Sequence, residues 1–197
     1  MSTSRLARHL ATAAVAATLA VPASAAIVHW GDANLVIPAT YAGLYINVEE
    51  RTTSSDKSLA GWDINPYGSG DLRWYQPVGG GLLRIFDSVG PSSLPAGAMV
   101  DASGIFDEEA FCEFGPELYN WSTNASNYFG FSFAANDGLL HYGWGRMVIG
   151  AEATDRVLAE LAYEGVAGEG IAVGAIPSPG ALALLVCAGI GSKRRRR

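Results

Sequence analysis

In the segment Tyr128-Phe129-Gly130-Phe131-Ser132-Phe133-Ala134, aromatic and small residues alternate from Phe129 onward. A period of two gathers Phe129, Phe131 and Phe133 on one face of an extended strand, whereas a helix would scatter them. Asn136-Asp137-Gly138 then reads as a turn, and Leu140 to Ile149 as the partner strand. Shorter β-forming runs precede this pair: Ala33 to Pro38, and Leu44-Tyr45-Ile46-Asn47-Val48. Leu72-Arg73-Trp74-Tyr75-Gln76 and Leu82-Leu83-Arg84-Ile85-Phe86 flank Pro77-Val78-Gly79-Gly80-Gly81, which predicts a hairpin with a loose loop. With 24 glycines in 197 residues and only 16% charged residues, the chain favours turns and packed strands over helices. The expected fold is all-β, a single antiparallel β-sandwich of jelly-roll type, with its body over residues 26–170.

Two segments are less direct. Apolar residues at Val157, Leu158, Leu161 and Ala162 fit a helical face. Asp107, Glu108 and Glu109 suit the positive N-terminal end of a short helix.

Charge is distributed unevenly. All nineteen acids lie between Asp32 and Glu169, against six basic residues there, a net of −13; the remaining seven cations sit at the two ends. Such a body repels phosphate, which argues against nucleic acid as a partner.

The ends read as addresses. Arg5 and Arg8 precede an uncharged run from Leu10 to Val21, Pro22 breaks it, and Ala23-Ser24-Ala25 offers the small residues that a signal peptidase requires. Residues 1–25 are therefore a predicted signal peptide, a helix threaded through the Sec translocon, with Ala26 as the new N-terminus. At about 12 residues its apolar core falls short of the ~20 needed to span a bilayer. Residues 171–197 read as a linker followed by a second address. Motif residues 176–180 contain Pro177-Ser178-Pro179-Gly180, residues 181–191 are an apolar helix, and Lys193-Arg194-Arg195-Arg196-Arg197 is a basic stop. Five adjacent cations resist translocation and stay cytoplasmic, leaving the body outside. The 11-residue run covers about half the hydrocarbon core, so a transient membrane contact is expected.

This tail resembles the PEP-CTERM sorting signal of exopolysaccharide-producing bacteria, with Ser178 where that family usually has Glu and Cys187 inside a short apolar run. The resemblance implies recognition by an exosortase-type enzyme and delivery to the cell envelope or extracellular matrix, with exopolysaccharide as a partner. Asp63-Ile64-Asn65-Pro66-Tyr67-Gly68, His141-Tyr142-Gly143-Trp144 and Ala162-Tyr163-Glu164 also resemble recurrent elements of planctomycete-type members. There the last two are late strands, which favours a strand over 157–164.

No catalytic signature and no cofactor motif stand out, so the body is read as non-enzymatic. Cys112 and Cys187 fall in body and tail, which argues against a structural disulfide. Cys112 reads as a small buried apolar residue, and His141 lacks the companions that a metal site needs. Asp63, Asn65 and Asp71 share the spacing of loop positions 1, 3 and 9 of a calcium loop, with Gly68 at position 6. Tyr67 at position 5 and Trp74 at position 12 break that pattern, and an Asx/Pro turn is the reading. The alternative function is a carbohydrate-binding module or weak glycoside hydrolase. Trp62, Trp74 and Trp144 on one exposed face would serve binding; pairs such as Asp107/Glu109 or Glu113/Glu117 would serve hydrolysis.

Overall fold

A computed structural model describes residues 26–85 and 90–177. The signal segment 1–25 and the tail from Ser178 onward, with both predicted terminal helices, lie outside the described residues. The described residues are all-β: fourteen strands, no helix, and every pairing between strands antiparallel. No helix among them is long and apolar enough to cross a membrane.

The centre is a large sheet. β11 (Ala125–Ala134) and β12 (Leu140–Ile149) pair over their full length, from Ala125 opposite Ile149 to Ala134 opposite Leu140. Gly138, at φ 77°, turns the chain between them, and Leu139 N donates to Asp137 Oδ1 at 2.8 Å. The sheet runs β1 (Ile27–Trp30), β13 (Arg156–Glu164), β12, β11, β7 (Gly81–Arg84), β9 (Ile105–Asp107), with β2 (Leu35–Val36) pairing β13. The period of two fills both faces. Phe129, Phe131, Phe133, Met147 and Ile149 pack on one side, while Tyr142 and Trp144 pack on the other.

The first face is covered by β3 (Tyr45–Asn47) with β4 (Thr52–Ser54), and by the three-stranded sheet β10–β6–β5. Here β5 is Asn65–Tyr67, β6 is Arg73–Tyr75 and β10 is Glu109–Phe111. Ile46, Ile64, Leu72, Trp74, Cys112 and Trp121 enter that core. The second face is covered by β8 (Met99–Val100) and β14 (Ile171–Ala172), which bring Val100, Ile171 and Val173 against Trp144.

Glycines set the close packing of the centre. A Cβ on Gly143 would run into the Phe131 ring and stand 2.7 Å from Ala162 O, and one on Gly145 would run into the Phe129 ring. Each of these two phenylalanines of β11 therefore lies over a glycine of β12, its cross-strand neighbour.

Residues 157–164 form strand, and a bulge explains their helix-like spacing. Arg146 pairs with Glu160 but Met147 pairs with Leu158, so Ala159 is an extra residue. That residue puts Leu158 and Leu161 on the same core face although they are three apart.

Two local expectations are corrected. β6 and β7 do not form a hairpin: β6 pairs β5 and β10, whereas β7 pairs β11 and β9 in the large sheet. Leu82 and Leu83 are both buried, one in each core, so β7 belongs in a sheet covered on both faces, which the large sheet provides. Asp107 to Glu109 do not start a helix. Asp107 ends β9 and Glu109 opens β10, so the chain switches sheets there and each strand takes its own partner.

Candidate functional site

The three-stranded sheet sorts its residues by strict alternation. Pro66, Trp74 and Ala110 lie in register across β5, β6 and β10 and face the core. The flanking positions face away: Tyr67, Arg73 and Phe111 form one cross-strand row, and Asn65, Tyr75 and Glu109 the other. Gly43 allows the loop before β3 to lie across the edge of β5. It sits at φ 64°, a Cβ there would collide with Pro66 O, and Leu44 N donates to that oxygen at 3.1 Å. This brings Tyr41, 80% exposed, and Tyr45 alongside the sheet.

The result is a trough. One hollow of about 180 Å³ is lined by Tyr41, Tyr45, Asn65, Tyr67, Tyr75 and Glu109. A second, of about 240 Å³, shares Tyr67 and Glu109 and continues past Arg73 to Phe111, itself 45% exposed. Trp62 backs the rings, with its centroid 5.0 Å from Tyr45 edge-on and 5.6 Å from Tyr75. Lys57 Nζ stands 5.3 Å from the Tyr75 centroid. Tyr67 Oη donates to Glu109 Oε1 at 3.2 Å, and burial together with that carboxylate raises the phenol above its ordinary value. Arg73 Nε is held by Asp71 Oδ2 at 2.7 Å. Aromatic faces thus alternate with a carboxylate, phenol hydroxyls and two cations, a surface that stacks on apolar faces and hydrogen-bonds to hydroxyls at their rims.

The sequence-derived tryptophan cluster is not brought together. Trp74 and Trp144 are buried, 0% and 1% exposed, in different cores, and Trp62 alone of the three borders the outer face. The carboxylate pairs are also separated in role. Asp107 on β9 is bound to Arg84 while Glu109 faces the trough, and Glu117 accepts from Asn120 Nδ2 at 3.2 Å.

The calcium-loop residues serve three different partners. Buried Asp63 accepts from Val48 N at 2.7 Å, Asn65 Nδ2 donates to Ala42 O at 2.9 Å, and Asp71 binds Arg73. The loop's carbonyls already face a cation, because Gly68 O and Asp71 O accept from the guanidinium of buried Arg156. Residues 68–72 turn between β5 and β6, but Pro66 lies inside β5. Among the described residues no three His, Cys, Asp or Glu side chains gather as metal ligands.

Cys112 is buried beneath Trp74, whose Nε1 donates to its Sγ at 3.2 Å; burial pushes the thiol up, away from the thiolate that a nucleophile needs. His141, also buried, donates from Nδ1 to Glu164 O at 2.7 Å, with Nε2 3.3 Å from Asp137 Oδ2. Ala26 N donates to Glu164 Oε1 at 2.9 Å. Pro177 ends the described chain; Ala23, Ala25, Ser178, Pro179, Gly180 and the basic stop Lys193 to Arg197 lie outside it.

Tyr41, Tyr45 and Phe111 were not visible as site residues in the sequence. The one signal was the polar–aromatic alternation at 65–67, 73–75 and 109–111, which becomes a surface only after three distant segments pair. Compared with known proteins, the chain matches no family model, no curated sequence and no solved structure.

Proposed function

We propose that this chain is an exported, non-enzymatic protein of the cell envelope or extracellular matrix, its body a jelly-roll-like β-sandwich sorted through an exosortase-recognised tail. Support comes from the fit between the two address segments and the paired structure. Among the described residues strand pairing begins at Ile27, two positions after Ala25. At the other end Val173 N donates to Ala98 O and Ala175 O accepts from Trp144 Nε1, two residues before Pro177. Mass spectrometry of both termini of the exported protein tests the reading. The expected N-terminus is Ala26 and the expected C-terminus lacks Lys193 to Arg197; a retained basic stop removes the sorting step.

Carbohydrate binding by the body is the second reading, and the aromatic trough favours it. Rings that stack on sugar C–H faces, with Glu109, Arg73 and phenol hydroxyls beside them, match the two sides of a pyranose. The net −13 of the body disfavours acidic polymers, so the ligand class is a neutral glycan. Affinity electrophoresis through gels containing neutral glucan or an acidic uronan is the test. Retardation by the glucan alone is expected, weakened about tenfold (~1.4 kcal/mol) in Tyr75→Ala. Equal mobility of wild type and Tyr75→Ala in every gel rejects the trough as the site.

A further inference from the structure

Glu164 ends β13 opposite Ile27 of β1 and is 1% exposed. Its Oε1 accepts two backbone hydrogen bonds, from Ala26 N at 2.9 Å and from Val166 N at 3.0 Å. Gly165 N in turn donates to Ala26 O at 3.0 Å, so both backbone groups of Ala26 are held. A Cβ on Gly165 would stand 2.7 Å from Ala26 O, and glycine there permits the close approach. A buried carboxylate is costly unless a cation accompanies it. Arg51 binds His29 O, Arg73 binds Asp71, Arg84 binds Asp107, Arg146 binds Glu160, and Arg156 binds carbonyls. No cationic side chain among the described residues pairs with the Glu164 carboxylate.

We infer that the Glu164 carboxylate is a built site for the α-ammonium of the mature chain. Hydrolysis of the Ala25–Ala26 bond consumes one water, leaves a carboxylate on Ala25 and places an ammonium on Ala26. That charge forms on the atom already seated against the Oε1 of buried Glu164, so a hydrogen bond from a neutral amide to the carboxylate becomes an ion pair. Removal of the signal thereby locks β1, an edge strand of the large sheet, onto β13. This rests on the cleavage position proposed above.

The test compares chains beginning at Ala26 and at Ala23, both continuing to Arg197, each with Glu164 or with Glu164→Gln. With Glu164 present, the Ala26 form is expected to be about tenfold more favourable in its folding equilibrium, roughly 4 °C in melting temperature. In Glu164→Gln the two lengths melt together. Acylation of the Ala26 amine at neutral pH provides a second measurement. It is expected to be about tenfold slower in the wild-type chain than in Glu164→Gln, because the ion pair holds the amine protonated. Equal melting of the two wild-type lengths, or a length effect that survives Glu164→Gln, overturns the inference. Should Glu164→Gln not fold, the wild-type length comparison decides alone. Terminal sequencing of exported protein separately reports whether the natural cut falls at Ala26, so the two readings fail independently.

Discussion

Arg156 holds a positive charge inside the protein, with no carboxylate among the described residues in hydrogen-bonding reach. Its guanidinium instead donates to the carbonyls of Pro38, Gly68, Asp71 and Ala153, tying three loops to the first residue of β13. Burial lowers its pKa, a sign of the desolvation cost. The four carbonyls decide the balance, since each buried acceptor left bare costs about 1–3 kcal/mol. Arg156→Met is therefore expected to lose roughly 3 kcal/mol, read as a lower urea midpoint at unchanged slope. Arg156→Lys recovers part of it, because one ammonium cannot span carbonyls contributed by separate loops. Asp63 gives a pH-dependent case. Burial raises its pKa to about 7, opposed by the Val48 N–H and assisted by nearby Glu49. The folded state thus holds a proton that the unfolded state releases near pH 4, so stability falls as pH rises from about 4 to 7 and is level beyond. Asp63→Asn keeps an acceptor for Val48 N and removes the titration. Its melting temperature should be flatter across that interval and exceed wild type at pH 8.

At the scale of elements, the β11–β12 pair works because bulk on one strand meets absence on the other. Gly143→Ala is expected to cost about 1–3 kcal/mol, since both the Phe131 ring and the Ala162 carbonyl must move. Phe131→Leu shortens the obstructing side chain. The double variant should then be less destabilised than the sum of the singles, a coupling that denaturant titration of all four proteins measures. This pair was also the most legible part of the chain, because its period, its turn and its partner lie within about 22 consecutive residues, Tyr128 to Ile149. Legibility faded where a decision depended on distant segments. The bulge at Ala159 gave β13 a three-residue apolar spacing that imitates a helix. The runs around Trp74 and Leu83 each looked like a strand, yet local pairing lost to partners from β5, β10, β9 and β11. The trough was hidden for the same reason. Trp74 and Tyr75 are neighbours in sequence, and only the pleat decides that the first is core and the second is surface.

For the whole molecule, nineteen acids against six basic residues between Asp32 and Glu169 impose self-repulsion that the fold must withstand. Added salt screens it, with a Debye length of about 30 Å at 10 mM falling to about 8 Å at 150 mM. The melting temperature is accordingly expected to rise by a few degrees over that range of NaCl. Calcium separates diffuse screening from a specific site. A cation held at 100 times its dissociation constant would add about 2.7 kcal/mol beyond any screening effect. Asp63, Asn65 and Asp71 are bound to Val48, Ala42 and Arg73, and Arg156 occupies the carbonyls of the same loop, so no such increment is expected. Differential scanning calorimetry in CaCl₂ and NaCl at matched ionic strength should give the same midpoint. A higher midpoint in calcium, lost in Asp71→Asn, would mean that the loop releases Arg73 to take the ion and that the acidic body is built for cation bridging.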